Sequence, residues 1–527
     1  MRHPKFLKRL ARRINALNIS KVVTATILDE PMLLFGGSFP AADPKLGISL
    51  YGPYSTEKTI KLGIVGDKNT ISQVCTIIEQ LKQPIEAPTE YPMWTQGFPG
   101  MSPDSPFRCE LQTSSEWWQV ITDKDASPLE KYYDVKQRIS IAVNVFIKCI
   151  KNLLEKEGGR ALDVIICAPP KKMMDLCVTA EESRLARHFR RGSKRQRKKA
   201  DFAPTQTYVL DFIPELKKTQ YEQAFKRTAD NFHHFLKARA MMPDIAVPTQ
   251  LILPYTLNTY TLPDQPPMQD PATFAWNLSV ALLYKAGGRP WRPDKIPLGT
   301  CFIGISFFRE RTVYGGQMGT SVAQVFTPEG EGLVLRGSRF PWPANRSPKL
   351  RRDDAKRLVE KALALYEQHT RVKPSRVVIH KSSKFTDDEL KGFDEGLSDI
   401  HQRDFLAVVK RQKRIRFFRL GYNPVIRGTK ISFPDGTWLL YTKAYIPFLK
   451  IYPGPRVPLP LEIIQHIGDT PPENLSLEIL MLTKLNVNSA DFCSFLPITL
   501  EFSRKVGNIL KELPPGVTPQ NRYLYYM

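Results

Sequence analysis

Thr300-Cys301-Phe302-Ile303-Gly304-Ile305-Ser306-Phe307 and Arg376-Val377-Val378-Ile379-His380-Lys381-Ser382 decide the fold of the C-terminal half. Each is a short apolar run of the kind that forms a buried strand. Strand patterns at residues 312–315 and 321–326 lie between them, with a helical pattern at 352–368. Residues 405–409 and 436–441 then read as strands, and 496–510 as a closing helix. Antiparallel strands followed by a helix and a return strand imply one mixed sheet. A metal-dependent phosphodiesterase on such a sheet needs Asp or Glu at its central strand ends, where hard cations are lined up on a phosphate. This chain places Ser306 and Ser382 there. A hydroxyl is neutral and does not replace that charge, so the expectation is a site that holds nucleic acid without cutting it.

Working outward, the upstream sequence alternates strand and helix. Residues 60–66 read as a strand, 69–81 as a helix, 107–111 as a strand and 134–157 as a helix ending at Gly158-Gly159. A strand at 163–168, a helix at 220–242, a strand at 249–254 and a helix at 271–285 follow. Alternation of this kind predicts a Rossmann-like, doubly wound parallel sheet. The Pro- and Gly-rich stretch 83–106 is expected to be a loop ordered by Trp94, Phe98 and Met101. Gly287-Gly288-Arg289-Pro290-Trp291 breaks the last helix, which puts the domain boundary at 290–297. The predicted organisation is therefore a basic lead-in at 1–50, one domain at 51–297 and another at 298–527, with no internal repeat. A chain of 527 residues is too long for a single core.

Charge bounds the partners. The formal net charge of +24 favours a polyanion, because neutralising phosphates releases condensed counterions. A solubility surface or an acidic protein partner is the bland alternative. Basic runs at 184–199 and 410–419 stand out, and the second interleaves with Phe417 and Phe418, as a nucleic-acid rim does. No segment has the length of a membrane span, and the basic N-terminus lacks the apolar run of a secretory signal, so a cytoplasmic protein is expected. The seven scattered cysteines suggest reduced, mostly buried thiols and argue against zinc.

One constellation suits an anion. On the 220–242 helix, Tyr221, Phe225, Phe232, Phe235 and Leu236 trace an apolar stripe, while His233 and Lys237, four apart, stack on the more polar side. Gln250 sits on the next strand, and Lys285 ends the following helix. In a doubly wound sheet, ligands bind where such strand ends and helix termini converge. Spacing alone favours a solvated helix face with an incidental glutamine.

Several ordered blocks together make the chain resemble the short prokaryotic Argonautes, which consist of MID and PIWI domains only. They are Tyr51-Gly52-Pro53-Tyr54 ahead of the first strand, Val247-Pro248-Thr249-Gln250, and Tyr284-Lys285-Ala286-Gly287-Gly288-Arg289-Pro290-Trp291. Val378-Ile379-His380-Lys381-Ser382-Ser383-Lys384-Phe385, Tyr452-Pro453-Gly454-Pro455 and Leu482-Thr483-Lys484-Leu485-Asn486-Val487-Asn488 follow. The resemblance covers nearly the whole chain and implies a Rossmann-like MID domain followed by an RNase H-like PIWI domain. It implies that His233, Lys237, Gln250 and Lys285 hold a guide 5′-phosphate, with a Mg²⁺ ion ligated by the carboxylate of Met527. His380, Lys381, Lys484, Asn486 and Asn488 would lie along the guide or target backbone, fixing position without reading sequence. Against that family, the catalytic positions are degenerate: Ser306 and Ser382 replace two Asp residues, Arg504 falls near the fourth ligand, and the catalytic Glu cannot be placed. The implied function is guide-directed sensing by a non-enzyme, with an RNA guide, a single-stranded DNA target, and a role in prokaryotic defence. An APAZ-containing effector protein of nuclease, TIR or Sir2 type would supply the output as a heterodimer partner. An active endonuclease with displaced ligands, or a non-guided nucleic-acid scaffold, would leave much of this sequence unchanged.

Overall fold

Residues 23–87, 96–156, 161–179, 214–262, 269–311, 317–327, 329–341, 348–410, 416–450, 452, 457–513 and 517–527 are described by a computed structural model. The first of these correct the expectation of a lead-in. Strand β1 (Thr24–Ile27) pairs antiparallel with residues 429–432, four hundred positions along the chain. Strands β2 (Leu33–Leu34) and β3 (Pro40–Ala41) pair with each other, and helix α1 (Pro44–Tyr51) follows, its first turn capped by Asp43 Oδ1 on Leu46 N at 2.7 Å. Pattern does not mark β1: all four residues are exposed, so no alternation distinguishes a buried face.

The MID-like unit is the parallel sheet that alternation predicts. Strands β4 (Thr59–Gly66), β5 (Glu110–Gln112), β6 (Trp118–Val120), β7 (Val164–Ala168) and β8 (Thr249–Leu251) run in the order β5-β4-β7-β8, with β6 also beside β4. Helices α2 (Lys68–Leu81), α3 (Val135–Glu155), α4 (Pro214–Ala240), α5 (Pro254–Thr261) and α6 (Pro271–Lys285) surround it. Asp67, Asp134 and Asp270 cap α2, α3 and α6 by accepting from the third backbone N–H beyond each. The loop expected to order itself on apolar side chains does so, since buried Phe98 meets Trp276 edge-on at 5.4 Å and Met101 is fully buried. Trp94 lies outside the described residues.

The predicted boundary contains β9 (Arg292–Pro293), which pairs with β2 and so ties the N-terminal segment to the junction. Beyond it, β10 (Thr300–Arg311), β11 (Gln317–Phe326), β12 (Gly332–Pro341), β13 (Arg376–Lys381), β14 (Gln402–Lys410), β15 (Thr429–Ser432), β16 (Trp438–Leu440) and β17 (Leu461–Ile467) build one sheet with β1. Its order, β1-β15-β16-β17-β14-β13-β10-β11-β12, sets β10, β13 and β14 parallel at the centre, as an RNase H-like sheet requires. The expected strand at 312–315 lies outside the described residues, whereas β12 was not foreseen. Helices α7 (Arg352–Thr370), α8 (Asp387–Gly396), α9 (Pro472–Leu482) and α10 (Ile498–Leu510) complete the unit. Gly304 lets α10 lie directly on β10: a Cβ there would come within 2.0 Å of the Thr499 carbonyl oxygen.

One apolar core runs through both units, from Ile60, Leu62 and Trp276 to Phe302, Leu482 and Tyr526. Among the described residues no helix is long and apolar enough to cross a membrane. Six of the seven thiols are buried.

Candidate nucleic-acid interface

The residues singled out at 233, 237, 250 and 285 converge. Parallel pairing of β7 with β8 sets Gln250 opposite Ile166, and the last turn of α6 brings Lys285 Nζ to Gln250 Oε1 at 2.5 Å. Gly287 (φ 101°) and Gly288 end α6 there, Gly288 N–H returning to Leu283 O at 3.0 Å. From α4, Lys237 Nζ donates to the Thr249 carbonyl. The solvated-face reading fails, because Lys237 is 1% and Lys285 4% exposed. The polar side of α4 is closed by α10, which packs across it.

Among the described residues neither lysine pairs with a carboxylate. Burial pushes Lys237 down to about 7, and the neighbouring Cys167 thiol only partly opposes that shift. Lys285 is held well below its ordinary value, by burial first and by Lys237 second. His233 is likewise depressed by burial and then by Lys237, so its ring is neutral. Thr249 Oγ1 is buried without a hydrogen-bond partner among the described residues. Two buried lysine amines, a neutral imidazole and an amide thus share one strand-end site, with no carboxylate bonded to them among the described residues. Desolvation disfavours this arrangement until an anion arrives. A divalent cation does not fit these side chains alone, since hard ions take oxygen ligands and the one amide oxygen is already held by Lys285. Among the described residues no group of three His, Cys, Asp or Glu could hold a metal ion.

A pH dependence follows. Folded Lys237 gives up its proton near pH 7, whereas the unfolded side chain holds it to about 10.5. Between those values the unfolded state binds more protons, so stability rises with pH across that window. The denaturation midpoint of the ligand-free protein is expected to increase from pH 7 to pH 9, and to do so less steeply in Lys237→Met.

The C-terminal residues pack against the same helix and against β12. Tyr523 stacks on Phe502 at 3.9 Å, and Met527 is buried. Asn488 Nδ2 donates to Tyr523 Oη at 2.9 Å and to Asn486 Oδ1 at 3.0 Å, so both asparagines brace this tail.

Ser306 and Ser382 emerge side by side, as the strand patterns predict. Ile305 lies opposite Lys381 in the β10–β13 pair, and the next residues are Ser306 and Ser382. Gly304 and Ser306 share the face that α10 covers. Arg504 stands on α10, with its side chain outside the described residues. Glu501 is 3.9 Å from Lys505.

Three backbone-contact expectations are corrected by burial. Lys381 inserts between α8 and the sheet, where Nζ meets both oxygens of fully buried Glu389 at 2.5 and 2.6 Å. Lys484 Nζ meets Glu30 at 2.7 Å, and Arg427 Nε meets the other Glu30 oxygen at 2.8 Å. Burial pushes Glu30 up, but Arg427 and Lys484 outweigh it and hold the carboxyl below its ordinary value. His380 Nδ1 pairs with Thr499 Oγ1 at 2.9 Å, and burial lowers the ring to about 4. All three side chains brace the structure. Their acidic partners Glu30 and Glu389 escaped sequence reasoning, because nothing local to either residue points to a cation 454 or 8 positions away.

No family model matches the chain, and no curated protein matches it in sequence. Solved structures do match it in fold. Clostridium butyricum Argonaute bound to a guide DNA and a 19-mer target DNA aligns with a TM-score of 0.60 and 15% identity, over 96% of this chain and 55% of that one. Drosophila Piwi aligns at 0.55 and 15%, over 95% and 56%. Aa-Ago with externally bound siRNA aligns at 0.53 and 15%, over 95% and 56%. The protein has an Argonaute-like fold. It spans a little over half the length of those chains, with its two units matching the MID and PIWI layout.

Proposed function

We propose that the protein binds the 5′-phosphate of a guide strand and senses complementary nucleic acid without cutting it. The observation that carries this reading is the convergence of buried Lys237 and Lys285 on half-buried His233 and Gln250, with no acidic counterpart among the described residues. A terminal phosphate brings close to two negative charges, favours the charged form of both lysines, and accepts from several donors at once. Sequence is read by base pairing, so the protein needs only duplex shape and backbone charge, which the +24 balance supplies. Ser306 and Ser382 support a sensor that does not cleave. The family resemblance adds an RNA guide, a DNA target, defence against plasmids or phage, and an APAZ-containing partner that carries the effector activity.

The test is equilibrium binding of 5′-phosphorylated and 5′-hydroxyl oligonucleotides to the unmodified protein, with a guided cleavage assay in Mg²⁺ or Mn²⁺. Tighter binding of the phosphorylated strand and no specific product are expected. Equal affinities would reject the pocket, and a guide-dependent product would reject the sensor.

A further inference from the structure

In the segment joining β14 to β15, Val425 and Arg427 are buried, while residues 418–423 stand exposed, outside either unit's core. From Phe405 to Pro434 the sequence holds eight Lys or Arg and no Asp or Glu. Strand β14 runs parallel to β13, with Ala407 opposite Lys381, so its C-terminal end leaves the sheet on the same edge as Ser306 and Ser382. The described part of the connection is firmly rooted. Phe417 N–H donates to Tyr441 Oη at 3.0 Å, its ring joins a satellite apolar cluster, and the Arg419 guanidinium lies 5.8 Å from the Tyr445 ring centroid. Beyond that root, Phe418 is 78% exposed, and Leu420 and Tyr422 are fully exposed. Gly421 (φ 106°) turns the chain between the last two, with no atom near enough to crowd a Cβ.

Three large apolar side chains standing together in water need a partner with an apolar face. The surrounding charge selects its kind: Lys410, Arg416 and Arg419 flank them, so the partner is an anion with exposed rings. We infer that Phe418, Leu420 and Tyr422 form a stacking prong for unpaired bases of a nucleic-acid strand lying along the serine edge of the sheet, with Arg416 and Arg419 on its phosphates. Bases within a duplex are already stacked and offer no free face, so the ligand is single-stranded. This inference rests on the proposed nucleic-acid role but does not use the phosphate pocket.

The experiment compares the full chain with Phe418→Ala/Tyr422→Ala, using 5′-phosphorylated single-stranded RNA and DNA and the corresponding perfect duplex. Loss of a stacked base weakens binding by roughly 5- to 150-fold. The double variant is therefore expected to lose at least about tenfold in single-strand affinity, with duplex affinity and 5′-phosphate preference unchanged. Because these side chains touch solvent, the thermal midpoint should not move. Tyr422→Trp supplies a second reading, since its emission should be quenched by single strands and not by duplex. Arg416→Gln/Arg419→Gln should flatten the dependence of log affinity on log salt by about 1.4, the share of two single-strand phosphate contacts. Unchanged single-strand affinity in the double variant, or an indole blind to oligonucleotide, overturns the prong. Loss of self-association or of a protein partner in that variant, with nucleic-acid binding intact, also overturns it. A protein that lacks 5′-phosphate preference yet needs Phe418 and Tyr422 for single strands would reject the pocket and keep the prong.

Discussion

Lys237→Ala/Lys285→Ala is expected to bind 5′-phosphorylated and 5′-hydroxyl strands equally well, while the unmodified protein prefers the phosphate. Each charge-assisted hydrogen bond to the phosphate contributes roughly 1.5–3 kcal/mol. Removing both ammonium groups should therefore cost at least about a hundredfold in affinity for the phosphorylated strand. The affinity for the 5′-hydroxyl strand, which rests on the wider basic surface, should hardly change. Fluorescence anisotropy with matched oligonucleotides measures both. Folding offers an internal control: among the described residues neither lysine has a carboxylate partner, so the double variant leaves no orphaned anion there. A variant that folds and still prefers the phosphate would remove these lysines from the site.

The second large effect concerns stability. Glu30→Ala leaves Lys484 and Arg427 buried without their shared carboxylate. Breaking such a network by deleting one partner costs about 3–5 kcal/mol, read as a fall in the urea midpoint. Glu30→Leu/Lys484→Met, which removes one charge with its partner, should recover part of that loss. Proteolysis of Glu30→Ala should begin in residues 23–41, because the carboxylate fastens β1 to β3 onto the PIWI-like unit. A loss below about 1 kcal/mol would show that β-pairing alone holds this segment.

Much of this was legible because periodicity and caps speak locally. Helix α6 runs from Pro271 to Lys285 as its pattern predicts, since Asp270 caps one end and the glycine pair stops the other. The two deciding strands emerge in parallel register with their serines adjacent. Strand β12 was missed because Gly332, Arg336, Gly337 and Ser338 interrupt its apolar alternation, and pairing with β11 overrides that composition. The cluster around Lys237 and Lys285 was legible as an order of residues but not as a buried one. A histidine and a lysine four apart look solvated until another helix closes over them. Lys381 and Lys484 misled for the same reason, since a buried lysine and a surface lysine are spelled alike.

The clasp at Glu30 also sets a schedule for synthesis. The carboxylate leaves the ribosome 397 residues before Arg427 and 454 before Lys484. At about 5–20 residues per second, β1 waits roughly 20–80 s for the strand it must join. Throughout that interval the nascent chain carries an unpaired strand and an uncommitted acid, so the PIWI-like sheet can close its far edge only after nearly all of the polypeptide has emerged.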